Sequence, residues 1–395
     1  MSAAATPRRL TLLVTLLLAV ELLDELYSGV PSVGSADIQA GFAVSYGVTA
    51  WALLLVPGGL ALLVEPLLFL LADRHPRKWF VCGGLFAMGA AALLASVATH
   101  VALVSAALTL AWIGSGSAVN LAQATLVDAR PHERERVLTR WTLLGEVGDL
   151  LAPALMAGVA VAGASWRSAF VVVGVLMIVW GVWLSRQPFE AIEPLGDHEA
   201  DEDEPTILEA FRQALGERRL MFWLGATALC DLLDEIVVVF AALYLRDQLG
   251  LDSVARSAII AAAIAGAIVG VMVTDRLLKT RPAIPLLFWS SVACAVSYVA
   301  WLAARDAWSS GIAFFFVGVF AAPMYPITSA QAYAALPGRS GTVNAAGHVF
   351  TPFTLAAPWL LGLVADRVGL LVALAALLLQ PVGLTLVAGW SLRRR

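Results

Sequence analysis

The sequence predicts an all-α membrane protein: twelve transmembrane helices in two parallel six-helix repeats, with both termini cytoplasmic. Three observations predict it. Of the 395 residues, 60% are hydrophobic and only 14% charged, against about 45–50% apolar and about 25% charged in soluble domains. The apolar residues fall into twelve runs, each long enough to cross a bilayer core of about 30 Å as a helix. Local motifs of the first half recur in the second. This composition excludes a soluble globule, a disordered chain, a collagen, a coiled coil and a secreted disulfide scaffold. The net charge of −4 offers no basic excess for nucleic acid. Cys82, Cys230 and Cys294 lie far apart in apolar runs and read as small core side chains, with no metal or redox spacing. No nucleophile–base motif, phosphate loop or metal motif is present, so neither an enzyme nor a cofactor is expected.

The runs span 10–31, 43–71, 79–98, 101–127, 138–163, 167–187, 219–245, 254–275, 284–304, 308–336, 341–365 and 368–390. The first continues through Glu21-Leu-Leu-Asp24-Glu25 to Val30. It therefore reads as an uncleaved membrane helix rather than a signal peptide. Between the sixth and seventh runs lies the longest polar segment. Its part 190–204 carries eight acids and no Lys or Arg, the pattern of a solvated linker. Ile207, Leu208, Phe211 and Leu215 then space a short amphipathic helix suited to the membrane surface. The domains expected are 1–187, a six-helix bundle; 188–218, the acidic linker with its amphipathic helix; and 219–395, a second six-helix bundle.

With the N-terminus in the cytoplasm, 20 of the 25 Lys and Arg residues fall on the cytoplasmic side. Only Arg167, Arg246, Arg256, Arg305 and Arg367 lie outside. Basic residues concentrate on the cytoplasmic face of membrane proteins, so this orientation is the one expected. Most of the thirteen tryptophans stand near helix ends, as interfacial anchors do.

The repeat rests on four matches in one order. Glu21-Leu-Leu-Asp24-Glu25-Leu26 is answered by Asp231-Leu-Leu-Asp234-Glu235-Ile236, 210 residues on. Asp73-Arg74 is answered by Asp275-Arg276 at 202, Leu121-Ala-Gln123-Ala124 by Ser329-Ala-Gln331-Ala332 at 208, and Ala152-Pro153 by Ala357-Pro358 at 205. Six helices per half is an even number, so the halves run parallel about an axis along the membrane normal.

Two such halves resemble the major facilitator superfamily, and the resemblance extends to motifs. The family's loop between helices two and three reads Gly-x-x-x-Asp-Arg-x-Gly-Arg-Arg/Lys. Here it reads Phe69-Leu-Leu-Ala-Asp73-Arg74-His75-Pro76-Arg77-Lys78, with Phe69 and Pro76 in place of the glycines. Asp128-Ala-Arg-Pro131-His-Glu-Arg134 resembles the motif after helix four. Trp166-Arg167 with Phe170 resembles the family's opening of helix six. The resemblance implies a cytoplasmic gate drawn from Asp73, Arg74, Arg77, Asp128, Arg134, Asp275 and Arg276. Arg77 and Lys78 also read simply as anchoring charges. The family's proton-driven drug exporters carry an Arg in helix four before a Gly. Leu110-Ala-Trp112-Ile-Gly114-Ser-Gly116 has none. Their glycine–proline signature in helix five is only partly visible around Pro153.

The most informative residues are acids inside the membrane. Glu21, Asp24 and Glu25 are spaced i, i+3, i+4 and share one helix face, which Ser28 extends. At 1.5 Å per residue, Glu21 lies about 17 Å deep, near the midplane. Asp231, Asp234 and Glu235 repeat the spacing in the seventh run. The resemblance implies that both helices line a central cavity. An ionised Asp at mid-membrane costs about 2.5–3.5 kcal/mol, so six would cost on the order of 15–20 kcal/mol if charged and facing lipid. They must face water, hold protons or meet cations. Glu65, in the second run, and Glu146 and Asp149, in the fifth, add to them. Tyr27, Asn120, Gln123, Tyr325, Gln331 and His348 are cavity-lining candidates, with interhelical hydrogen bonding an equal account of the amides and Tyr325.

These acids disfavour an anionic substrate. The resemblance and the acids together imply a secondary active transporter in the lipid bilayer, proton-coupled. It would move a cationic small molecule by alternating access through the acidic cavity, with efflux of an organic cation or drug favoured. The alternatives are an inorganic cation (a divalent metal or sodium) held by the same carboxylates, an ion-coupled carrier of a neutral or zwitterionic solute, and, remotely, a non-transporting membrane receptor. No metal is expected as a resident group. A monomer in the cytoplasmic membrane of a bacterium is expected, the last from Ala, Leu, Val and Arg usage.

Overall fold

The computed structural model describes residues 7–44, 48–49, 51–189, 207–233, 235–251 and 253–393. Every regular element among them is helical. The acidic segment 190–204 and Asp234 lie outside the described residues. The helices are α1 (Pro7–Val33), α2 (Ser35–Phe42), α3 (Val56–Ala72, entered through a π turn, Trp51–Leu55), α4 (Arg77–Ser96), α5 (Val101–Ala129), α6 (Arg134–Val161), α7 (Trp166–Ser185), α8 (Ile207–Gly216) and α9 (Arg218–Ala228). There follow α10 (Glu235–Asp247), α11 (Ser253–Leu277), α12 (Ala283–Ala303), α13 (Ala307–Ala321), α14 (Met324–Ala335), α15 (Ser340–Gly347), α16 (Thr351–Val368), α17 (Leu370–Ala376) and α18 (Leu379–Arg393).

Ten helical stretches among the described residues are long and apolar enough to cross a membrane. They extend from the one that begins at Trp51 to the one that ends at Arg393. α1 is longer than most at 27 residues, but its central acids interrupt the apolar run. The seventh run, expected as one helix over 219–245, is broken: α9 ends at Ala228, a 3-10 turn covers Cys230–Leu233, and α10 starts at Glu235. The tenth is also interrupted, at Ala322 and Pro323 between α13 and α14. A proline has no N–H to continue the ladder.

The chain forms two compact units. The first comprises 1–132, 144–214 and 336–346. The second comprises 133–143, 215–335 and 347–395. Each unit therefore takes in a short piece of the other sequence half: the start of α6 in one case, most of α15 in the other. α6 and α15–α16 are repeat counterparts, so the exchange is itself symmetric.

The repeat is visible in the packing. In the first unit α1 packs on α5 and α7, α3 on α5, and α4 on α5 and α7. In the second, α9 packs on α14 and α10 on α17, α11 on α13, and α12 on α13 and α18. These are the same pairs, counted by run. Small residues make the approaches close. A Cβ on Gly84 of α4 would stand 2.7 Å from the Ala118 nitrogen of α5. Gly266 and Gly270 of α11 lie against the carbonyls of Phe315 and Val319 on α13. Small residues four apart are the usual means of bringing membrane helices together. The loops before α7 and α17 each turn on a glycine in the left-handed region, Gly163 at φ 68° and Gly369 at φ 111°, where a side chain would be strained.

Candidate functional site

Three helices of the first unit bring carboxylates together. α1 is an unbroken helix, so Glu21, Asp24 and Glu25 keep the shared face that their spacing predicts, and all three are half-buried. Ser115 of α5 donates its hydroxyl to the Asp24 carboxylate. Ser28 donates to Glu25 Oε2 at 3.1 Å. α6 lies against this face through its glycines. A Cβ on Gly145 would stand 3.0 Å from Glu21 Oε1, and one on Gly148 would stand 2.7 Å from Glu25 Cβ. That contact carries Asp149 to the acids of α1, and its charge acts on both Asp24 and Glu25.

Glu65 joins from α3. Its carboxylate lies directly over Gly116 of α5, where any side chain would collide with it, and it feels the charge of Asp24. Its repeat counterpart at offset 202, Ala267, packs instead on Gly318 of α13. The Gly114-Ser115-Gly116 stretch thus serves three neighbours in succession: α4, Asp24 and Glu65. The charges acting on Asp24, Glu25 and Glu65 are other carboxylates. Glu146 is half-buried one turn before Asp149.

Asp231 and Glu235 of the second trio do not share one continuous α-helix. Asp231 sits in the 3-10 turn and Glu235 opens α10, so the two belong to different elements. At this turn the Leu233 N–H is donated to Gln380 Oε1 at 2.7 Å.

Of the other polar candidates, Tyr27 is only 4% exposed, with its ring edge-on to Phe170. Asn120 donates to the Gly116 carbonyl of its own helix at 3.1 Å and receives Asn344 Nδ2 on its backbone oxygen at 3.1 Å. Gln123 is buried in α5, and Tyr325 stands in α14. Gln331 donates to Glu135 Oε1 at 3.1 Å. His348 begins a 3-10 turn between α15 and α16.

Both repeat-related acid loops are occupied. In the first unit Asp73 accepts the backbone N–H groups of Gly341 and Thr342 at 3.0 and 2.7 Å, and the Thr342 hydroxyl at 2.6 Å. These are the otherwise unsatisfied donors at the positive end of α15. Arg77 is 5% exposed and joins Asp73 (3.3 Å) to Asp128 (2.7 Å), which also accepts the Ser340 hydroxyl at 2.6 Å. Arg77 is therefore no simple anchoring charge; Lys78, beside it, donates to the Gln187 carbonyl at 3.3 Å. In the second unit Asp275 pairs with Arg140 at 3.1 Å and Arg136 at 3.4 Å. Arg134 opens α6, Arg74 lies in the turn after α3, and Arg276 stands in the last turn of α11. Sequence reasoning missed Ser115, Ser340, Thr342, Arg136 and Arg140 as site members. The Asp275 match at offset 202 pointed to the place, but nothing in the sequence named its partners.

An all-helical, multi-pass membrane protein is the class that this fold defines. The sequence matches the family model described as Major Facilitator Superfamily over residues 17–351, and the chain belongs to that family. It is a secondary transporter and not an enzyme. The structure is similar to that of the E. coli fucose:proton symporter FucP, with a TM-score of 0.79, 13% identity, and 95% of this chain and 98% of that one covered. It is similar to the human organic anion transporter MFSD10, at 0.72 and 15% identity over 97% and 100%. It is also similar to the proton:xylose symporter XylE, at 0.67 and 14% identity over 95% and 94%. A comparison with curated proteins finds no significant match.

Proposed function

We propose that this transporter is proton-coupled and moves a cationic small molecule outward, with protons and substrate competing for the acids of the first unit. One observation carries the reading: Glu21, Asp24, Glu25, Glu65 and Asp149 converge from α1, α3 and α6, and the charges acting on Asp24, Glu25 and Glu65 are carboxylates. So concentrated a negative charge in a low-dielectric setting is unfavourable unless protons or a cation offset it. Exchange of one for the other is antiport. With α1 and the broken seventh run added to the ten apolar stretches, the chain crosses the membrane twelve times, with both termini cytoplasmic. We place it as a single chain in the cytoplasmic membrane of a bacterium. Asp73, Arg77 and Asp128, with Asp275 and its arginines, act as the cytoplasmic gate.

A second reading has an observation of its own. Asp24 is already held by Ser115, a protein partner, as suits a residue reserved for the proton while a neutral solute binds elsewhere. For the inorganic-cation alternative, no group of three His, Cys, Asp or Glu placed to hold a metal occurs among the described residues.

The test is transport in proteoliposomes with an imposed pH gradient, comparing wild type with Asp24→Asn. Gradient-driven movement of an organic cation by the wild type, lost in the variant with expression and thermal stability kept, is expected. Wild-type rates in Asp24→Asn would end this reading of the cluster.

A further inference from the structure

Gln380 of α18 is 2% exposed, in an apolar helix where a buried amide needs partners. It has two, and they lie at two different helix breaks. Its Oε1 accepts the Leu233 N–H at 2.7 Å, at the end of the 3-10 turn. An N–H can bond only to the amide oxygen, which fixes the orientation of the group and turns Nε2 toward the Met324 sulfur at 3.4 Å. Met324 is fully buried and is the first residue of α14, just past the Pro323 interruption. The same two breaks meet a second time: the Cys230 thiol lies 3.7 Å from the Thr328 hydroxyl, one turn into α14.

The first unit has no such arrangement at the equivalent runs. α1 and α5 are unbroken, at 27 and 29 residues. The repeat therefore differs in kind between its halves: acids on continuous helices in one, a buried amide joining two interrupted helices in the other.

We propose that Gln380 is a positioning residue: it ties the break at Cys230–Leu233 to the break at Ala322–Pro323, so that the two bend together, and it thereby sets the placement of Asp231. The functional consequence rests on the transport reading; the tie itself does not. Loss of the tie slows the conformational step and leaves cation affinity, which belongs to the first unit, unchanged.

The test is hydrogen exchange by mass spectrometry on the purified full chain without substrate. Gln380→Leu removes both bonds, Gln380→Glu keeps an acceptor for Leu233, and Thr385→Val, one turn along the same helix, is the control. We expect exchange at least about tenfold faster at both Leu233 and Met324–Thr328 in Gln380→Leu, protection at Leu233 restored in Gln380→Glu, and no change in Thr385→Val. Faster exchange at Leu233 alone would make Gln380 a local cap and overturn the proposal, as would no change at either break. If Gln380→Leu does not fold, Met324→Leu decides: it removes only the sulfur acceptor, and unchanged exchange at both breaks overturns the tie. In transport, Gln380→Leu is expected to lower turnover about tenfold with the dissociation constant of tetraphenylphosphonium unchanged, and a change in that constant alone counts against it. Coupled loss of protection at both breaks in a protein that carries no cation would overturn the substrate reading and leave the tie standing.

Discussion

Asp24 stands where α1, α5 and α6 bring polar atoms together, and Ser115 supplies the hydrogen bond that the protein itself provides. A bond to a charged acceptor contributes about 1.5–3 kcal/mol. Ser115→Ala is therefore expected to slow coupled transport by roughly tenfold or more, and Ser115→Thr to keep it, as measured by cation flux at a fixed pH gradient. Equal rates in the two variants would remove Ser115 from the site. Arg77 joins two aspartates out of water. Removing one partner from such a buried set costs about 3–5 kcal/mol, so Arg77→Gln should lower the thermal unfolding midpoint markedly. Arg77→Lys should not restore it, because an ammonium cannot reproduce the forked geometry. Asp73, Arg77 and Asp128 were legible as a charged set through their resemblance to the family's motifs. Ser115 was not, since a serine between two glycines reads as helix packing. The pairing of Asp73 with the start of α15 was hidden too, because backbone N–H groups leave no trace in a sequence.

At the scale of elements, glycines decide where carboxylates fit. Gly116→Ala would drive a methyl into the Glu65 carboxylate, and overpacking of this kind costs about 1–3 kcal/mol. The thermal midpoint should fall, and Gly116→Ala with Glu65→Gly should recover much of the loss. Helix starts are set by caps in the same local way. Asp306 precedes α13 and accepts from the Ser309 and Trp308 amides and the Ser309 hydroxyl. The Ser309 amide, with the other two donors, holds its carboxyl below the usual carboxylate range. The capping contribution is then complete above the ordinary Asp range and is lost as pH falls through the lower folded value. Exchange at Trp308 and Ser309 should rise only at strongly acidic pH, and Asp306→Ala should show it at neutral pH. The continuity of α1 was legible because apolar residues resume beyond its acids, as far as Val30. The break in the seventh run was not: its motif copies that of α1 almost letter for letter, and the amide that meets it, Gln380, lies some 150 residues away in sequence.

At the scale of the molecule, the repeat was legible because four motif pairs keep one order, and the packing reproduces it pair for pair. The exchange of the starts of α6 and α15 between units was not legible, since hydropathy marks a span and says nothing of which neighbours its ends adopt. The two units share a fold and divide its chemistry. The acids gather on unbroken helices in the first, and the interrupted helices lie in the second. On the proposed reading, the first unit is the place where protons and substrate compete. The direct measurement is tetraphenylphosphonium binding to the purified protein in unbuffered detergent, with released protons recorded at the same time. Saturable binding with proton release, both lost in Asp24→Asn, is the expected result. Binding without release, or release on adding Mn²⁺ or Mg²⁺ with no binding of the organic cation, would contradict it.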